Sequence, residues 1–281
     1  MNNTDIAIVI ILYNPSNEDI RHCKELASQW RGAIIDNSTT PFTNDANIGN
    51  MLYICNGKNL GIAEAQNIGL RAIELDHFKF VILLDQDTRI TASYPKDIST
   101  EFERISNRDK RLAILGPTVI NKVSGQEYTS VVHHYNVDDN GFSQRSHVIS
   151  SGSCISVQAL HKVGLMESEL FIDDVDYEWC WRAYAKDYVC GITTNVHIYH
   201  QVGNNELHIG KYKIIISSSF RYYYQYRNYI WLIRRKYVPL QWKIATGIKY
   251  MLRFVYFPFF IKGGRERWRY MWQGIKKGIK R

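Results

Sequence analysis

The sequence predicts an α/β protein: a mostly parallel sheet with flanking helices, followed by a basic, aromatic, helical C-terminal region. Three observations carry this. Two unbroken apolar runs, Ile6 to Tyr13 and Phe80 to Leu84, are bounded by polar residues, as strands buried on both faces of a parallel sheet are. Between and after them the chain alternates strand-like and helix-like segments at βαβ spacing. From about residue 211 the composition changes, so residues 1–210 are expected to form one domain and 211–281 a helical appendage. At 281 residues the chain can bury a sizeable core.

Ile6 to Tyr13 reads as the first strand, and Asn14-Pro15 turns the chain out of it. A helix is expected from Glu18 to Trp30, then a strand over Gly32 to Ile35 that ends in Asp36-Asn37-Ser38. The right-handed crossover of such a unit puts both strand ends on one rim. Asp36 there reads equally as an Asx-turn or cap residue and as a ligand-facing carboxylate. Leu52 to Cys55 is a fourth short strand. The glycines of the stretch that follows, Asn56 to Leu70, match neither the dinucleotide fingerprint nor the phosphate loop of NTPases. They suit a turn opening a helix of small residues, with Asn67 able to hydrogen-bond across.

Phe80 to Leu84 ends in Asp85-Gln86-Asp87. Residues i and i+2 of an extended chain project to the same side, so both carboxylates aim beyond the strand's carboxyl end, where open α/β sheets bind ligands. Such a pair suits Mg2+ or Mn2+ shared with substrate phosphates; alone it also fits a solvated turn. A helix over Tyr94 to Ser106 and a strand over Leu112 to Leu115, stopped by Gly116-Pro117, follow. Val119 to His147 reads as strands and loops, and the adjacent His133 and His134 point to opposite faces, against a joint metal site. Val148 to Val157 suits a strand whose small centre lets a ligand pass close to the backbone, and Gln158 to Val163 a short helix.

Leu170 to Arg182 holds four acids in six residues, Asp173, Asp174, Asp176 and Glu178. A helix N-terminus favours anions there, and Glu178 with Arg182 makes an i,i+4 pair. Beyond capping, crowded and half-buried carboxylates raise one another's pKa, as a general base requires. Val189 to His200 is the last expected strand of the domain.

The ordered motifs Asp36-Asn37-Ser38, Asn59-Leu60-Gly61 with Ala65 and Asn67, and Asp85-Gln86-Asp87 resemble the nucleotide-sugar half of the family 2 glycosyltransferases, which have the Rossmann-like GT-A fold. The resemblance implies that Asp36 holds the base of the nucleotide, that Asn59, Gly61 and Asn67 lie beside it, that Asp85 serves the ribose, and that Asp87 binds the metal on the diphosphate. His200 stands where members often complete the metal's coordination. Asp173 to Asp176 is similar to the family's Glu-Asp-x-Asp motif with Asp173 in the Glu position, which makes Asp174 the catalytic base. Gly152, Asp173 and Trp179 are implied on the acceptor side. One base suffices if a metal stabilises the leaving diphosphate. Leu83 to Asp87, Ser151-Gly152 and Phe171 to Arg182 look most like the bacterial rhamnosyltransferase branch. That implies inverting transfer of L-rhamnose from dTDP-rhamnose to a lipid-linked saccharide in surface-polysaccharide (O-antigen or capsule) synthesis. Galactofuranose, glucose or N-acetylhexosamine donors would leave the same skeleton, because few contacts read a sugar's hydroxyls.

Composition narrows the setting. The five cysteines are widely spaced with no C-x-x-C pair, which speaks against a disulfide framework or zinc site and for a reducing cytoplasm. The start reads as a strand rather than a signal peptide, and no run reaches the length of a spanning helix. Residues 211–281 carry 18 Lys+Arg against Glu266 alone, a charge of +17, while the remainder carries −9. Basic helices rich in Trp, Tyr and Leu, broken at Pro239, Pro258 and Gly263-Gly264, suit an anionic membrane surface, which predicts a peripheral protein on the inner face of the cell membrane. A single-stranded nucleic-acid surface and a helical cap on the sheet are the other readings of this tail; no nucleic-acid partner is expected of the enzyme. A nucleotidyltransferase would need a Gly-rich basic loop after the first strand, which Tyr13 to Ser16 lacks.

Overall fold

The computed structural model describes residues 3–121, 136–200, 206–209 and 212–280; the side chains of residues 121, 200, 206–209 and 212–215 lie outside that description, as do His133 and His134. Strand β1 (Ile6–Leu12), helix α1 (Asn17–Ala27) and strand β2 (Arg31–Asp36) form the first βαβ unit. Ser16 and Asp19 start α1 with a reciprocal capping box, which satisfies two otherwise orphan N–H groups. Then come β3 (Asn47–Ile48), β4 (Met51–Cys55), α2 (Ile62–Ala72), β5 (Phe80–Asp85), α3 (Tyr94–Ser106) and β6 (Leu112–Asn121). The domain continues with β7 (Phe142–Gln144), β8 (Cys154–Ser156), α4 (Val157–Val163), α5 (Val175–Tyr184) and β9 (Val189–His200). A hairpin of β10 (Glu206–Ile209) and β11 (Tyr212–Ile215) leads to α6 (Arg221–Ile233), α7 (Leu240–Phe260) and α8 (Gly264–Ile279).

Nine strands form one sheet in the order β3-β4-β2-β1-β5-β8-β6-β9-β7. The run β4-β2-β1-β5 is parallel, and β8 is antiparallel to both β5 and β6. Alternation along β1 explains why its run is apolar throughout: Ala7, Val9 and Ile11 enter the core under α2, α4 and α5, while Ile6, Ile8, Ile10 and Leu12 enter the core under α1 and α3. Both faces are covered, so no position tolerates a polar side chain.

Three expectations change. β6 runs through Gly116-Pro117 instead of stopping, and its pairing with β9 shifts register between Pro117 and Thr118; an irregularity of this kind is where a sheet accepts a proline. The strand expected over 148–157 contracts to Cys154–Ser156, because Gly152 takes φ +81° within a turn closed by Ser153 N–H donating to the Ser150 carbonyl. Pro258 does not end α7 but lies inside its last turn, where little of the helix remains for its missing N–H to disrupt.

The C-terminal helices share an aromatic core of Tyr222, Tyr226, Tyr250 and Phe257 with Ile261 and Met271. Trp181 of α5 packs with Leu232 and Val238, which joins α6 to the sheet domain.

Candidate active site

The parallel strands deliver their carboxyl ends to one rim. Leu12 is paired with Asp36, and Ile11 with Asp85, so the two aspartates flank β1 about 10 Å apart by strand spacing. Asp36 is fully buried and satisfied: it accepts from Tyr53 Oη at 2.8 Å and from Ser38 N–H at 2.9 Å. Its neighbour Asn37 reaches the rim instead, donating to the Gly61 carbonyl at 3.0 Å and accepting from Asn56 at 2.8 Å. Asn59 Oδ1 accepts the Gly61 N–H at 2.9 Å, so the whole segment is pinned from below. The Asp85 turn is held by Ser151, whose hydroxyl accepts the Asp85 N–H at 2.9 Å and contacts the Thr88 hydroxyl at 2.7 Å.

The second acidic cluster is a strained loop. Phe171, Asp173 and Asp174 all have positive φ, at 66°, 64° and 62°, which side-chain-bearing residues adopt only when their surroundings over-determine it. Two helices supply that constraint. From α2, Asn67 donates to the Met166 carbonyl and accepts the Met166 N–H, both at 2.9 Å, and the Ile62 N–H at the helix start donates to the Phe171 carbonyl at 2.7 Å. Gly61, at φ +82°, lets this happen, since a Cβ there would lie 2.5 Å from the Phe171 carbonyl oxygen. From α6, Asn228 Nδ2 donates to the carbonyls of Leu170, Ile172 and Asp173 at 3.0, 2.9 and 3.1 Å, and Arg227 to those of Glu169 and Leu170. Arg221 forks onto both oxygens of Asp173.

That fork sorts the two aspartates. Asp173 is neutralised by a guanidinium, whereas Asp174 Oδ2 is buried with no hydrogen-bond partner. Burial, reinforced by Asp173 and Asp176, pushes the Asp174 carboxyl up to about 7. Asp85 behaves alike: its Oδ1 is buried and unpartnered, and burial, then the charges of Asp87 and Asp176, raise it to about 7. Asp176 is lifted by burial to about 6 against the pull of backbone hydrogen bonds. All face a cavity of about 710 Å3 over the strand ends, large enough for a drug-sized ligand.

Of the residues singled out from sequence, Asp85, Asp87, Asn59, Gly61, Asp173 and Asp174 line this cavity. Asp36, Asn67, Gly152 and Trp179 do not. Asn67 faces the acidic loop from behind. Gly152 lies under the Asp85 turn, its N–H donating to the Leu83 carbonyl at 2.8 Å and its carbonyl accepting from Tyr94. Trp179 is buried and donates to the Gly164 carbonyl at 2.8 Å. His200 ends β9, paired with Asn121, and its side chain lies outside the described residues. Among the described residues, no three His, Cys, Asp or Glu side chains form a ready metal cage.

Asn37 and Asp176, read in the sequence only as members of their motifs, also line the wall, and Gln66, Arg221, Lys249 and Arg253 went unread there. Arg221 did leave a signal. It opens α6, where the helix dipole disfavours a cation, so a partner carboxylate was to be expected.

A mixed sheet whose central parallel strands end in carboxylates, with a second acidic loop closing over them, defines the GT-A class. Among solved structures the chain is similar to Staphylococcus aureus TarS 1–349 (TM-score 0.59, 13% identity, covering 98% of this chain and 81% of that one). It is also similar to GalNAc-T7 crystallised with UDP, GalNAc and Mn2+ (TM-score 0.55, 12% identity, covering 99% and 56%). No family model matches the chain. In sequence it is 33% identical over 254 residues to the dTDP-rhamnosyl transferase RfbF of Shigella flexneri, covering 85% of this chain and 83% of that protein. The chain belongs to the rhamnosyltransferase-like branch of the inverting GT-A glycosyltransferases of family 2.

Proposed function

We propose that this glycosyltransferase moves L-rhamnose from dTDP-rhamnose, with inversion, onto a lipid-linked saccharide of a cell-surface polysaccharide at the inner face of the cell membrane. The donor is inferred from the likeness to RfbF. The observation that carries the chemistry is the contrast between Asp173, tied to Arg221, and Asp174, half-buried and unpaired at the cavity. A carboxylate whose pKa sits near neutrality takes a proton efficiently. Asp174 takes it from the acceptor hydroxyl, whose oxygen forms the new bond to the anomeric carbon as the bond to the nucleoside diphosphate breaks.

On the donor side Asn37, Asn59 and Gly61 form the nucleotide wall, with Asp36 acting through Tyr53 and Ser38. The carboxylates fit a divalent cation: Asp85 Oδ1 is buried without a partner, Asp87 lies beside it, and a hard cation would relieve their repulsion. Asp87, with Asp85 and His200, would hold Mg2+ or Mn2+ together with substrate phosphates. Bound there, the cation would stabilise the charge of the leaving diphosphate.

The test is nucleoside diphosphate release from a panel of nucleotide sugars, with each metal, with and without lipid-linked acceptor. dTDP-rhamnose should be turned over fastest. Asp87→Asn should lose metal-dependent donor binding, and Asp174→Asn should keep donor binding but lose transfer. Full activity of Asp174→Asn would overturn the base assignment.

A further inference from the structure

α7 has two opposed faces. At about 100° per residue, Ile244, Ile248, Met251, Leu252, Val255 and Phe259 fall within an arc of about 100°, and each is between 51% and 79% exposed. On the opposite side Thr246, Tyr250 and Phe257 are buried, and Thr246 and Tyr250 line the active-site cavity. Lys249, exposed, falls at the boundary between these faces, about 60° beyond Leu252, whereas Arg253 falls on the inner side, about 20° from Thr246; both line the cavity. Among the described residues neither makes an ion pair with a carboxylate. No helix among the described residues is long and apolar enough to cross a membrane.

An apolar stripe of this length, bare to solvent on a segment of charge +17, does not suit water. It suits a bilayer interface, in which an amphipathic helix lies flat with its apolar face among the acyl chains and its cations at the headgroups. We infer that the outer face of α7 docks on an anionic phospholipid bilayer, with Lys249 at headgroup level beside the stripe, so that the active-site cavity opens next to the membrane surface. This rests on the membrane setting proposed above and adds which surface makes the contact and how the site is turned. α6 is excluded from that role because its polar residues brace the acidic loop. The same helix is thus wall of the cavity on one side and float on the other. A lipid-linked acceptor would reach Asp174 without its chain leaving the bilayer.

The experiment uses the full chain and sedimentation with vesicles of phosphatidylcholine alone or mixed with anionic phosphatidylglycerol, over a salt series. The parent should bind the anionic vesicles. Ile248→Glu with Leu252→Glu should weaken binding by at least about tenfold, since two carboxylates would enter the apolar layer. Lys249→Gln should weaken it several-fold and flatten its salt dependence. Circular dichroism and the melting temperature confirm that each variant folds. Parent-like binding by the Glu pair would overturn the inference, as would no binding by the parent. So would a dimer that the Glu pair dissociates without changing vesicle binding. Nucleoside diphosphate release with the lipid-linked acceptor supplied in detergent instead of vesicles reports on the enzymatic reading independently: its absence beside intact vesicle binding would sink that reading and leave this one standing.

Discussion

Replacing Asn228 by Ala tests whether the C-terminal helix belongs to the catalytic apparatus. Asn228 is fully buried, 55 to 58 positions from the carbonyls it serves, and donates to Leu170, Ile172 and Asp173. Arg227 also donates to Leu170 at 2.9 Å, so the substitution orphans two carbonyls, those of Ile172 and Asp173. Each buried orphan costs about 1–3 kcal/mol; water from the adjoining cavity reduces this, which leaves roughly 2–3 kcal/mol. Holding Phe171, Asp173 and Asp174 at positive φ costs a similar amount per residue, about 1–3 kcal/mol, so the loop should leave its observed conformation. With Asp174 misplaced, kcat should fall by roughly 30- to 100-fold (about 1.4 kcal/mol per decade), while KM for the donor stays within a few-fold. Steady-state nucleoside diphosphate release resolves the two constants, and thermal melting guards against global unfolding. A folded Asn228→Ala protein with kcat within threefold of the parent would refute the bracing argument.

Three further outcomes follow from the same geometry. Because Asp174 must be ionised to accept a proton and its carboxyl is raised to about 7, kcat/KM should climb with pH up to about 7 and then level off. Arg221→Gln, which strips the guanidinium from Asp173, should move that rise to higher pH; a stationary profile would contradict it. Above its unfolded value of 3.8, Asp174 keeps in the fold a proton that the unfolded chain has lost, so its contribution to stability is present below that pH and lost as pH rises through about 7. Asp174→Asn, which forfeits no helix-capping bond, should therefore melt higher than the parent at pH 8, with the difference shrinking towards pH 5. Gly61→Ala places a Cβ 2.5 Å from the Phe171 carbonyl oxygen in a left-handed backbone; it should destabilise by about 3 kcal/mol or more and lower both donor binding and turnover, whereas a neutral melting temperature would rule out the tight contact.

Much of the rim was legible because it depends on local rules. A run such as Phe80 to Leu84 can be apolar at every position only between two helical layers, and the βαβ crossover then forces Asp36 and Asp85 onto one edge, as their registers with Leu12 and Ile11 show. The i,i+4 pair of Glu178 and Arg182 forms at 2.8 Å for the same reason. What escaped was long-range. Nothing near Asn67 in sequence says that its amide will close on Met166, 99 residues away. Trp179 looks like an acceptor platform until its burial is known, and Trp242 of α7 lines the cavity from a segment whose composition speaks of lipid. Aromatic and basic residues suit a membrane and an inward wall alike; only the helix's rotation separates them. Pro117 was misread because a proline normally ends a strand, and the register shift that accommodates it depends on β9, more than 70 residues later.

The bracing of one loop by helices from opposite ends of the chain sets an order of events in biosynthesis. By the time β9 leaves the ribosome the nine strands of the main sheet have been made, yet Arg221, Arg227 and Asn228 are still to come. The sheet can gather its aspartates while the loop carrying Asp174 still has only the α2 half of its support. The bracing of that loop is complete only once α6 has been made. A nascent or clipped polypeptide ending before α6 would hold sugar nucleotide poorly committed to transfer, and a truncation made to improve handling would be expected to silence the enzyme.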